Sequence, residues 1–227
     1  MQIQGLIQAA RSGTRLGLGP KAFVELDGKT LLERAVHLLA SRVDSIIVAV
    51  PSDDFARATT LVGGDGVRII VGATSRSETT RLLIGEATAP WLLLHDVVHP
   101  FADTEIISRL LAKTFEVGAS APGIPNTEFL YDYAGAILHA PGHVIIGQKP
   151  VAFSRKAAMD GYASLPADAA ESDPSFLDIL ERGGVRSAFV AGSAANIKIT
   201  TPADLKIARA LVALAATDEA RETGSGG

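Results

Sequence analysis

Apolar runs alternate with amphipathic segments along most of this chain, and that alternation constrains its fold more than any other feature. The runs with strand character are Ile3–Ile7, Ser45–Val50, Val67–Val71, Trp91–Leu94 and Val185–Val190. The segments with helical spacing are Leu31–Ser41, Asp53–Leu61, Ser77–Ala87, Thr104–Val117, Ser154–Tyr162, Pro174–Arg182 and Thr201–Leu214. Continuous apolar runs are typical of strands buried on both faces, and strand–helix alternation favours right-handed crossovers between parallel strands. The sequence therefore predicts an α/β fold with a doubly wound, mostly parallel sheet.

Residues 125–150 interrupt this alternation. Thr127–Asp132 and Ala136–His139 predict a β-hairpin, and His143–Gly147 predicts a further short strand. Excursions from a wound sheet often have a function, as lids or as dimerisation arms. The pattern alone leaves open a decorative insertion without such a role.

The length, charge and cysteine content of the chain narrow the classes of function. A chain of 227 residues suits one domain, which we assign to residues 1–217, with a disordered tail over 218–227. The formal net charge of −4 argues against a nucleic-acid or membrane-binding surface. The absence of cysteine excludes disulfides, a thiol nucleophile and zinc–thiolate sites. Since no apolar run reaches membrane-spanning length and no signal-peptide pattern is present, we expect a cytoplasmic protein.

A loop rich in small and basic residues follows the first predicted strand. It runs from Gln8-Ala9-Ala10-Arg11-Ser12-Gly13-Thr14-Arg15 to Pro20-Lys21. Small residues let backbone N–H groups approach an anion closely, and cations neutralise phosphate charge. The spacing matches neither the eight-residue phosphate-binding loop nor the dinucleotide fingerprint. The loop therefore indicates either a nucleotide or phosphate site or an ordinary turn.

Asp96 is a candidate metal ligand because it directly follows an apolar strand. In a wound sheet, ligands bind at the carboxyl ends of the strands, and a carboxylate there can hold a divalent cation beside a phosphate. The alternative is a helix cap. His95 and His99 flank Asp96 but lack a third ligand for zinc, so His95 is interpreted as structural.

Two other segments contain candidate phosphate or nucleoside contacts. Lys198 lies between two isoleucines in a segment interpreted as a short apolar strand, from which its ammonium either reaches a phosphate or faces water at a sheet edge. The loop Gly72–Thr80 leads into a helix, and its hydroxyl and N–H groups either contact a base or ribose or cap that helix.

Seven segments, taken in order, match one family of enzymes. They are Ala9 to Phe23 with Ala9-Ala10, Gly13, Arg15 and Pro20-Lys21-Ala22-Phe23; Gly72, Arg76 and Thr79; His95 to Phe101, similar to "HDAARPF"; Pro125-Asn126-Thr127, similar to a "DT" turn; Gln148 to Phe153, similar to "QTPQ-F"; Ser172-Asp173, similar to "TD"; and Asn196 to Leu205, similar to "NIKIT-PEDL". The chain thus resembles a divergent member of the 2-C-methyl-D-erythritol 4-phosphate cytidylyltransferases of isoprenoid biosynthesis, with the related ribitol-phosphate cytidylyltransferases.

The resemblance implies a Rossmann-like nucleotidyltransferase fold with a β-hairpin dimerisation arm. It implies that a phosphate oxygen of an acceptor attacks the α-phosphorus of CTP and that pyrophosphate leaves, while the protein supplies positioning and charge stabilisation. The expected substrates are CTP and a small phosphorylated polyol, with methylerythritol phosphate as the first acceptor. Ribitol 5-phosphate as acceptor and a non-catalytic nucleotide-binding role are the alternatives.

Individual roles follow by matching position to position. The resemblance implies catalytic roles for Arg15, Lys21 and Lys198, and ligation of Mg²⁺ by Asp96. It implies nucleotide-binding roles for Ala9, Ala10, Arg11, Gly13, Gly72, Ala73 and Thr79. It implies acceptor-binding roles for His99, Thr127 and Ser172, with Thr127 contributed by the second subunit of a homodimer.

The chain departs from the family pattern mainly in the predicted site. Proline, glycine, arginine, aspartate, threonine and glutamine of the pattern are replaced by Gln8, Arg11, His99, Asn126, Lys149 and Val151, respectively. The arm arginine that clamps the acceptor phosphate has no clear counterpart, and His143 is the nearest candidate. The sequence therefore keeps the charged residues of the nucleotide half and alters the acceptor half.

Overall fold

The computed structural model describes residues 1–10, 19–166 and 174–224, and in this part the chain forms a mixed sheet flanked by helices. The strands are β1 (Ile3–Gln8), β2 (Glu25–Leu26), β3 (Lys29–Thr30), β4 (Ser45–Val50), β5 (Val67–Val71), β6 (Trp91–Asp96), β7 (Ala119–Pro125), β8 (Leu130–Tyr131), β9 (Ile137–His139), β10 (Ile145–Gly147), β11 (Val151–Ser154) and β12 (Ala188–Ala191). The α-helices are α1 (Leu31–Ala40), α2 (Phe55–Val62), α3 (Arg76–Glu86), α4 (Thr104–Val117), α5 (Arg155–Ala163), α6 (Phe176–Arg182) and α7 (Pro202–Gly224).

One sheet organises the molecule. Its strands follow the order β10-β7-β11-β6-β1-β4-β5, and β12 also pairs with β7. The neighbours β6, β1, β4 and β5 are parallel. The chain runs outward from β1 to β4 and β5 and then returns to β6 on the opposite side of β1, so the strand order reverses between β1 and β6. The predicted α/β, doubly wound, mostly parallel fold is confirmed.

The sheet also contains two strands that the sequence analysis did not predict, β7 and β11. The strand β11 is antiparallel to both β6 and β7, with Val151 opposite Leu94. Because β11 runs against β6, the residues just before Val151 lie beside the carboxyl end of β6. The antiparallel strand β11 therefore brings Lys149 to the edge of the sheet where Asp96 lies.

The core has two layers because alternate strand residues face opposite sides of the sheet. Ile7 of β1 faces a cluster that includes buried side chains of α1, α4 and α7. Leu6 faces a second cluster, formed with α3, α5 and α6. Both faces of the sheet are thus covered, which explains why its central strands are continuously apolar.

Side chains fix where the main helices begin and end. Thr30 caps α1 in a capping box, and Ser75 caps α3 in the same way. Helix α3 begins at Arg76, one residue before its predicted start. Helix α4 ends at Gly118, whose φ of 94° is in the left-handed region that glycine tolerates. Thr201 caps α7, which begins at Pro202, one residue after its predicted start.

The segment Asn196–Thr200 corrects one expectation. The sequence analysis interpreted it as a short strand, but the structure shows no strand there. Ile199 N donates to the carbonyl O of Val98 at 2.8 Å, a contact with the loop after β6. The alternation of isoleucine and lysine therefore reflects burial on one side of the segment and exposure of Lys198 on the other, without pairing to a neighbouring strand.

The predicted hairpin is present, but its strands are shorter than predicted, and the strands of residues 125–150 are divided between two sheets. The strands β8 and β9 pair with each other, whereas β10 pairs with β7 in the main sheet. Helix α7 continues to Gly224, where the sequence predicted a tail from residue 218, and residues 225–227 lie outside the described part. The division into one domain and a tail stays a prediction. Over the described residues, no helix is both long and apolar enough to cross a membrane.

Candidate active site

The carboxyl ends of β1 and β6 meet where the strand order reverses. Gln8 ends β1 and lies opposite Asp96 at the end of β6. Beyond these residues is a cleft with about 410 Å³ of space, partly open to solvent, which we call the main cleft. It is lined by Gln8, Ala9, Lys21, Asp96, Val97, Val98, Lys198 and Thr200. Its position is the crevice in which open α/β sheets bind their ligands.

Two lysines from distant parts of the sequence line this cleft. Lys21 is buried in a 3-10 helix, and its Nζ donates to the carbonyl O of Ile199 at 3.2 Å and of Thr200 at 3.3 Å. Lys198 is exposed on the segment that supplies those carbonyl groups. The segment that contains Lys198 therefore also holds Lys21 in place through its carbonyl groups. Two positive charges thus lie beside the Asp96 carboxylate.

Hydrogen bonds from side chains hold the Lys198 segment in place. Asn196 Nδ2 donates to the carbonyl O of Lys149 at 2.8 Å. At the other end, the Asp204 carboxylate accepts from Thr200 N at 2.8 Å, from Thr200 Oγ1 at 2.7 Å and from Thr201 N at 2.7 Å. The hydrogen bonds from Thr200 lower the pKa of Asp204 to about 2. The start of α7 thus stabilises the segment on which Lys198 lies.

The predicted nucleoside loop packs tightly against the end of β1. A Cβ atom added at Gly72 would lie 2.6 Å from the Cβ of Ala10 and 3.3 Å from Cγ2 of Thr79, so only glycine fits here. Thr79 is buried, and its hydroxyl contacts Ala73 N at 3.1 Å and Ser75 O at 2.8 Å. The Thr79 hydroxyl therefore fixes the backbone of the loop, which places Ala10, Gly72, Ala73 and Thr79 in one cluster.

The two histidines near Asp96 are buried. Neither ring nitrogen of His95 has a hydrogen-bond partner, and Nδ1 of His99 also has none. Burial lowers the pKa of His95 to about 3 and that of His99 to about 4, so both rings are neutral at pH 7. Within residues 1–10, 19–166 and 174–224, no three acidic or histidine side chains form a metal-binding cluster.

A smaller cleft, with room for about one water molecule, is also lined by Gln8, and we call it the side cleft. Gln8 Nε2 donates to Arg76 O at 3.1 Å and to Thr80 Oγ1. The lining includes the cations Arg76 and Lys149 and the phenol of Tyr162. Burial lowers the pKa of Lys149 to about 8, although the negative charge of Asp96 opposes that shift.

The structure brings most of the described candidate residues together. Ala9, Lys21, Asp96 and Lys198 line the main cleft, and the Gly72 loop adjoins it through Ala10. His99 lies behind Asp96, with its backbone N donating to Asp96 O at 3.0 Å, and it lines neither cleft. Thr127 is exposed on the arm and also lines neither. Arg11, Gly13, Arg15 and Ser172 lie outside the described residues.

Several polar side chains that line the two clefts were not among the predicted site residues, and they include Gln8, Arg76 and Lys149. Gln8 separates the two clefts, and Arg76 and Lys149 line the side cleft. Arg76 and Lys149 belong to segments that carry the family resemblance, and Gln8 directly precedes the first of those segments. Gln8 and Lys149 are departures from the family pattern, and that was the signal that could have identified them.

Comparison with known proteins decides the family. The model of the 2-C-methyl-D-erythritol 4-phosphate cytidylyltransferase family matches residues 3–214. The chain belongs to this family. The resemblance inferred from the sequence segments is thereby confirmed, and so is the prediction of a nucleotidyltransferase enzyme.

Individual cytidylyltransferases agree with this assignment. The 2-C-methyl-D-erythritol 4-phosphate cytidylyltransferase of Deinococcus radiodurans is 37% identical over 212 residues, which cover 91% of this chain and 88% of that protein. The enzyme of the same name from Rhodococcus jostii is 34% identical over 220 residues, covering 92% and 95%. The crystal structure of the Thermus thermophilus enzyme gives a TM-score of 0.77 at 27% identity, covering 93% of this chain and 98% of that one. All three proteins carry the name of the family whose model matches, and each match covers at least 91% of this chain.

Proposed function

We propose that this chain transfers the cytidylyl group of CTP to 2-C-methyl-D-erythritol 4-phosphate, giving 4-diphosphocytidyl-2-C-methyl-D-erythritol and pyrophosphate. The observation that carries the proposal is the convergence of Lys21, Asp96 and Lys198 on one cleft at the reversal of strand order, in a member of this family. A triphosphate needs positive charge at its site, and a chain of net charge −4 must concentrate that charge locally.

The nucleotide would lie across the ends of β1 and β4. The backbone of Ala9, Ala10 and Gly13 would hold its phosphates, and Arg11 would add a phosphate contact. The loop with Gly72, Ala73 and Thr79 would read the cytosine and ribose, because its backbone is held rigidly against Ala10. A rigid loop is suited to distinguishing bases, since its N–H and C=O groups need no rearrangement on binding.

The transfer itself needs positioning and charge. A phosphate oxygen of the acceptor forms a bond to the α-phosphorus of CTP, and the bond from that phosphorus to the β-phosphate oxygen breaks. Lys198 would stabilise the negative charge on the α-phosphate, and Lys21 and Arg15 would bind the departing pyrophosphate. The contacts of Lys21 with Ile199 O and Thr200 O hold its ammonium beside Lys198.

We assign Asp96 as the protein ligand of Mg²⁺. Mg²⁺ is usually bound by one or two carboxylates together with substrate phosphates, so a single buried carboxylate at the main cleft fits such an ion. The bound ion would supply neutralisation of phosphate charge. The two neutral histidines behind Asp96 add no competing positive charge there.

The acceptor half of the site would draw on two subunits. Thr127 would contribute from the exposed arm, and Ser172 from the same subunit as Asp96. His99 lines neither cleft, so it would act on the acceptor only through the loop that it shares with Asp96. The arm exposes Phe129, Tyr131 and Ile137, which are between 51% and 61% exposed. A two-stranded hairpin such as β8–β9 is marginally stable alone, and its apolar side chains favour burial against a second copy. We therefore propose a homodimer. Because CTP is an intracellular nucleotide, the proposed reaction also places the protein in the cytoplasm.

Product formation from defined substrates tests the activity. Phosphorus NMR of the protein with CTP, Mg²⁺ and methylerythritol phosphate is expected to show a new diphosphate and free pyrophosphate. Lys198→Ala is expected to lower kcat roughly 10²- to 10³-fold, as loss of a charge-stabilising group does. The matched control is Lys206→Ala, at an exposed position of α7, with unchanged kcat. Faster reaction with ribitol 5-phosphate, or CTP binding without product, would contradict the proposal.

Mixed dimers test whether the arm completes the neighbouring site. Thr127→Val and Lys198→Ala should each be poorly active as pure proteins. When they are mixed and allowed to exchange subunits, about a quarter of all sites would combine intact Thr127 with intact Lys198. Recovery of activity supports the shared site. No recovery despite subunit exchange, or a monomer by light scattering, would refute it.

A further inference from the structure

The backbone of the Lys198 segment decides where the Lys198 ammonium lies. Lys198 is exposed and lines the main cleft, and no hydrogen bond or ion pair of its ammonium is found within the part of the chain that the structure describes. The segment itself forms no strand. Because the lysine side chain is long and flexible, its reach into the cleft depends on the contacts that hold the backbone on either side of it.

Gln148 holds the beginning of this segment through its side-chain amide. It directly follows β10 and is buried. Its Nε2 donates to Ser193 O at 2.7 Å and to Asn196 O at 3.1 Å, and its Oε1 accepts from Ser193 N at 3.1 Å. Gln148 lines neither cleft, so its influence on the site acts through the backbone that it holds.

A glycine makes room for this amide. A Cβ atom added at Gly192 would lie 2.2 Å from Gln148 Oε1 and 3.2 Å from the backbone N and C of Gly123. The backbone of Gln148 is itself fixed, because its N donates to the carbonyl O of Pro122 in β7 at 2.7 Å. A side chain at position 192 would therefore push the amide out of its hydrogen bonds.

We propose that Gln148 is a positioning residue for the transfer, because it holds the Lys198 segment so that the Lys198 ammonium meets the α-phosphate of CTP. This inference rests on the proposed function, which assigns that contact to Lys198. Exact placement matters here, since a displacement of a reacting or charge-stabilising group by about 1 Å can lower a rate about 100-fold. The amide of Gln148 thus acts on the reaction without touching either substrate.

The competing explanation is that these hydrogen bonds only stabilise the fold. Gln4 gives a matched control, because it is another buried glutamine whose amide joins two segments. Its Nε2 donates to Ser45 Oγ at 3.0 Å, and its Oε1 accepts from Thr88 N at 2.9 Å. Gln4 lies near the start of β1, whereas the main cleft lies at the end of that strand. Gln4→Leu should therefore lower the free energy of unfolding, as Gln148→Leu does, without changing kcat.

The experiment begins with the wild-type protein, because absence of product from CTP and methylerythritol phosphate would overturn the proposed function itself and this inference with it. With an active wild type, kcat and both KM values are measured for Gln148→Leu, Gly192→Ala and Gln4→Leu at a temperature where melting curves show each variant to be folded. We expect Gln148→Leu and Gly192→Ala to lower kcat roughly 10- to 100-fold. Their CTP KM should stay within about threefold of the wild-type value, and Gln4→Leu should keep kcat within about twofold. If Gln148→Leu does not fold, Gly192→Ala decides the question, because it removes no hydrogen-bonding group.

A double-mutant cycle tests whether Gln148 acts through Lys198. If it does, adding the folded variant, Gln148→Leu or Gly192→Ala, to Lys198→Ala should lower kcat by less than about twofold, because the ammonium that the amide positions is already absent. Independent roles would give the same loss of kcat in both backgrounds, and that result overturns the proposal. It is also overturned if the folded variant alone keeps kcat within about twofold, or if Gln4→Leu lowers kcat as much as that variant does.

Discussion

The free energy of unfolding of this protein should be lower at pH 5 than at pH 7. Replacing His95 by phenylalanine is expected to remove a large part of that difference. His95 is fully buried, and neither of its ring nitrogens has a hydrogen-bond partner. Burial is the main cause that lowers its pKa from 6.5 to about 3, with positive charge at His99 and Lys149 acting in the same direction. The folded protein therefore keeps this ring neutral at pH values where the unfolded chain protonates it.

The sign and size of the effect follow from linkage. Since the pKa is lower in the folded state, the stability is fully present above pH 6.5 and is lost as the pH falls toward 3. One pH unit below 6.5 lowers the free energy of unfolding by about 1.4 kcal/mol for one such group. Between pH 7 and pH 5, His95 should thus contribute a loss of about 2 kcal/mol. His99, whose pKa is about 4, should contribute a similar loss.

Urea unfolding at the two pH values measures this difference. Trp91 is the only tryptophan of the chain and packs against Phe115, so its fluorescence reports loss of the core. Measurements in EDTA at one protein concentration keep metal and subunit association constant. The control is His37→Phe, at an exposed position of α1, which should retain the full wild-type difference. If His95→Phe also retained it, His95 would not be held neutral by the fold, and the reasoning would be refuted.

Three further predictions concern the site and the core. Gly72→Ala should raise the KM of CTP, because its Cβ would lie 2.6 Å from that of Ala10, whereas Gly85→Ala meets nothing within 4 Å and should leave this KM unchanged. Asp204→Asn should lower the free energy of unfolding by about 1 kcal/mol, since it weakens the cap of α7, and denaturant curves measure this loss. The same substitution should lower kcat more than it raises the KM of CTP, which initial rates measure. Phe153→Ala should lower the free energy of unfolding by about 3–5 kcal/mol, because that ring is fully buried in the sheet, and urea denaturation measures the loss.

The sequence predicted best the bounds of those elements whose apolar pattern ends at a proline, a glycine or a turn. The observed bounds of β4, β5 and α4 equal the predicted ones, because Pro51 or a turn follows the strands and Gly118 ends the helix. In contrast, β7 contains two prolines and a glycine within seven residues, and such a composition argues against a strand. The four residues of β11 are too few to show a period. Pairing with neighbouring strands, which no local pattern encodes, decides both.

The candidate site divides in the same way. Asp96 was identified because it ends an apolar strand, and the parallel sheet then brings it beside the end of β1. Lys149 was recognised only as a departure from a motif, because its position depends on the antiparallel strand β11. Lys198 was assigned to a strand because its neighbours alternate, although tertiary contacts of Asn196 and Ile199 hold the segment. Sequence alone thus predicts residues at strand ends better than residues held by loops.

The segment from Ser193 to Thr200 explains why lysines so far apart in sequence lie at one edge of the sheet. The carbonyl groups of Ser193 and Asn196 accept from Gln148 Nε2 at 2.7 and 3.1 Å, and Asn196 Nδ2 reaches the next residue, Lys149. Farther along the segment, the carbonyl groups of Ile199 and Thr200 accept from Lys21 Nζ. Lys198 lies between these two sets of hydrogen bonds. A displacement of this one segment would therefore move three positive charges together. Substitutions in the segment should therefore affect both of the clefts that these lysines line.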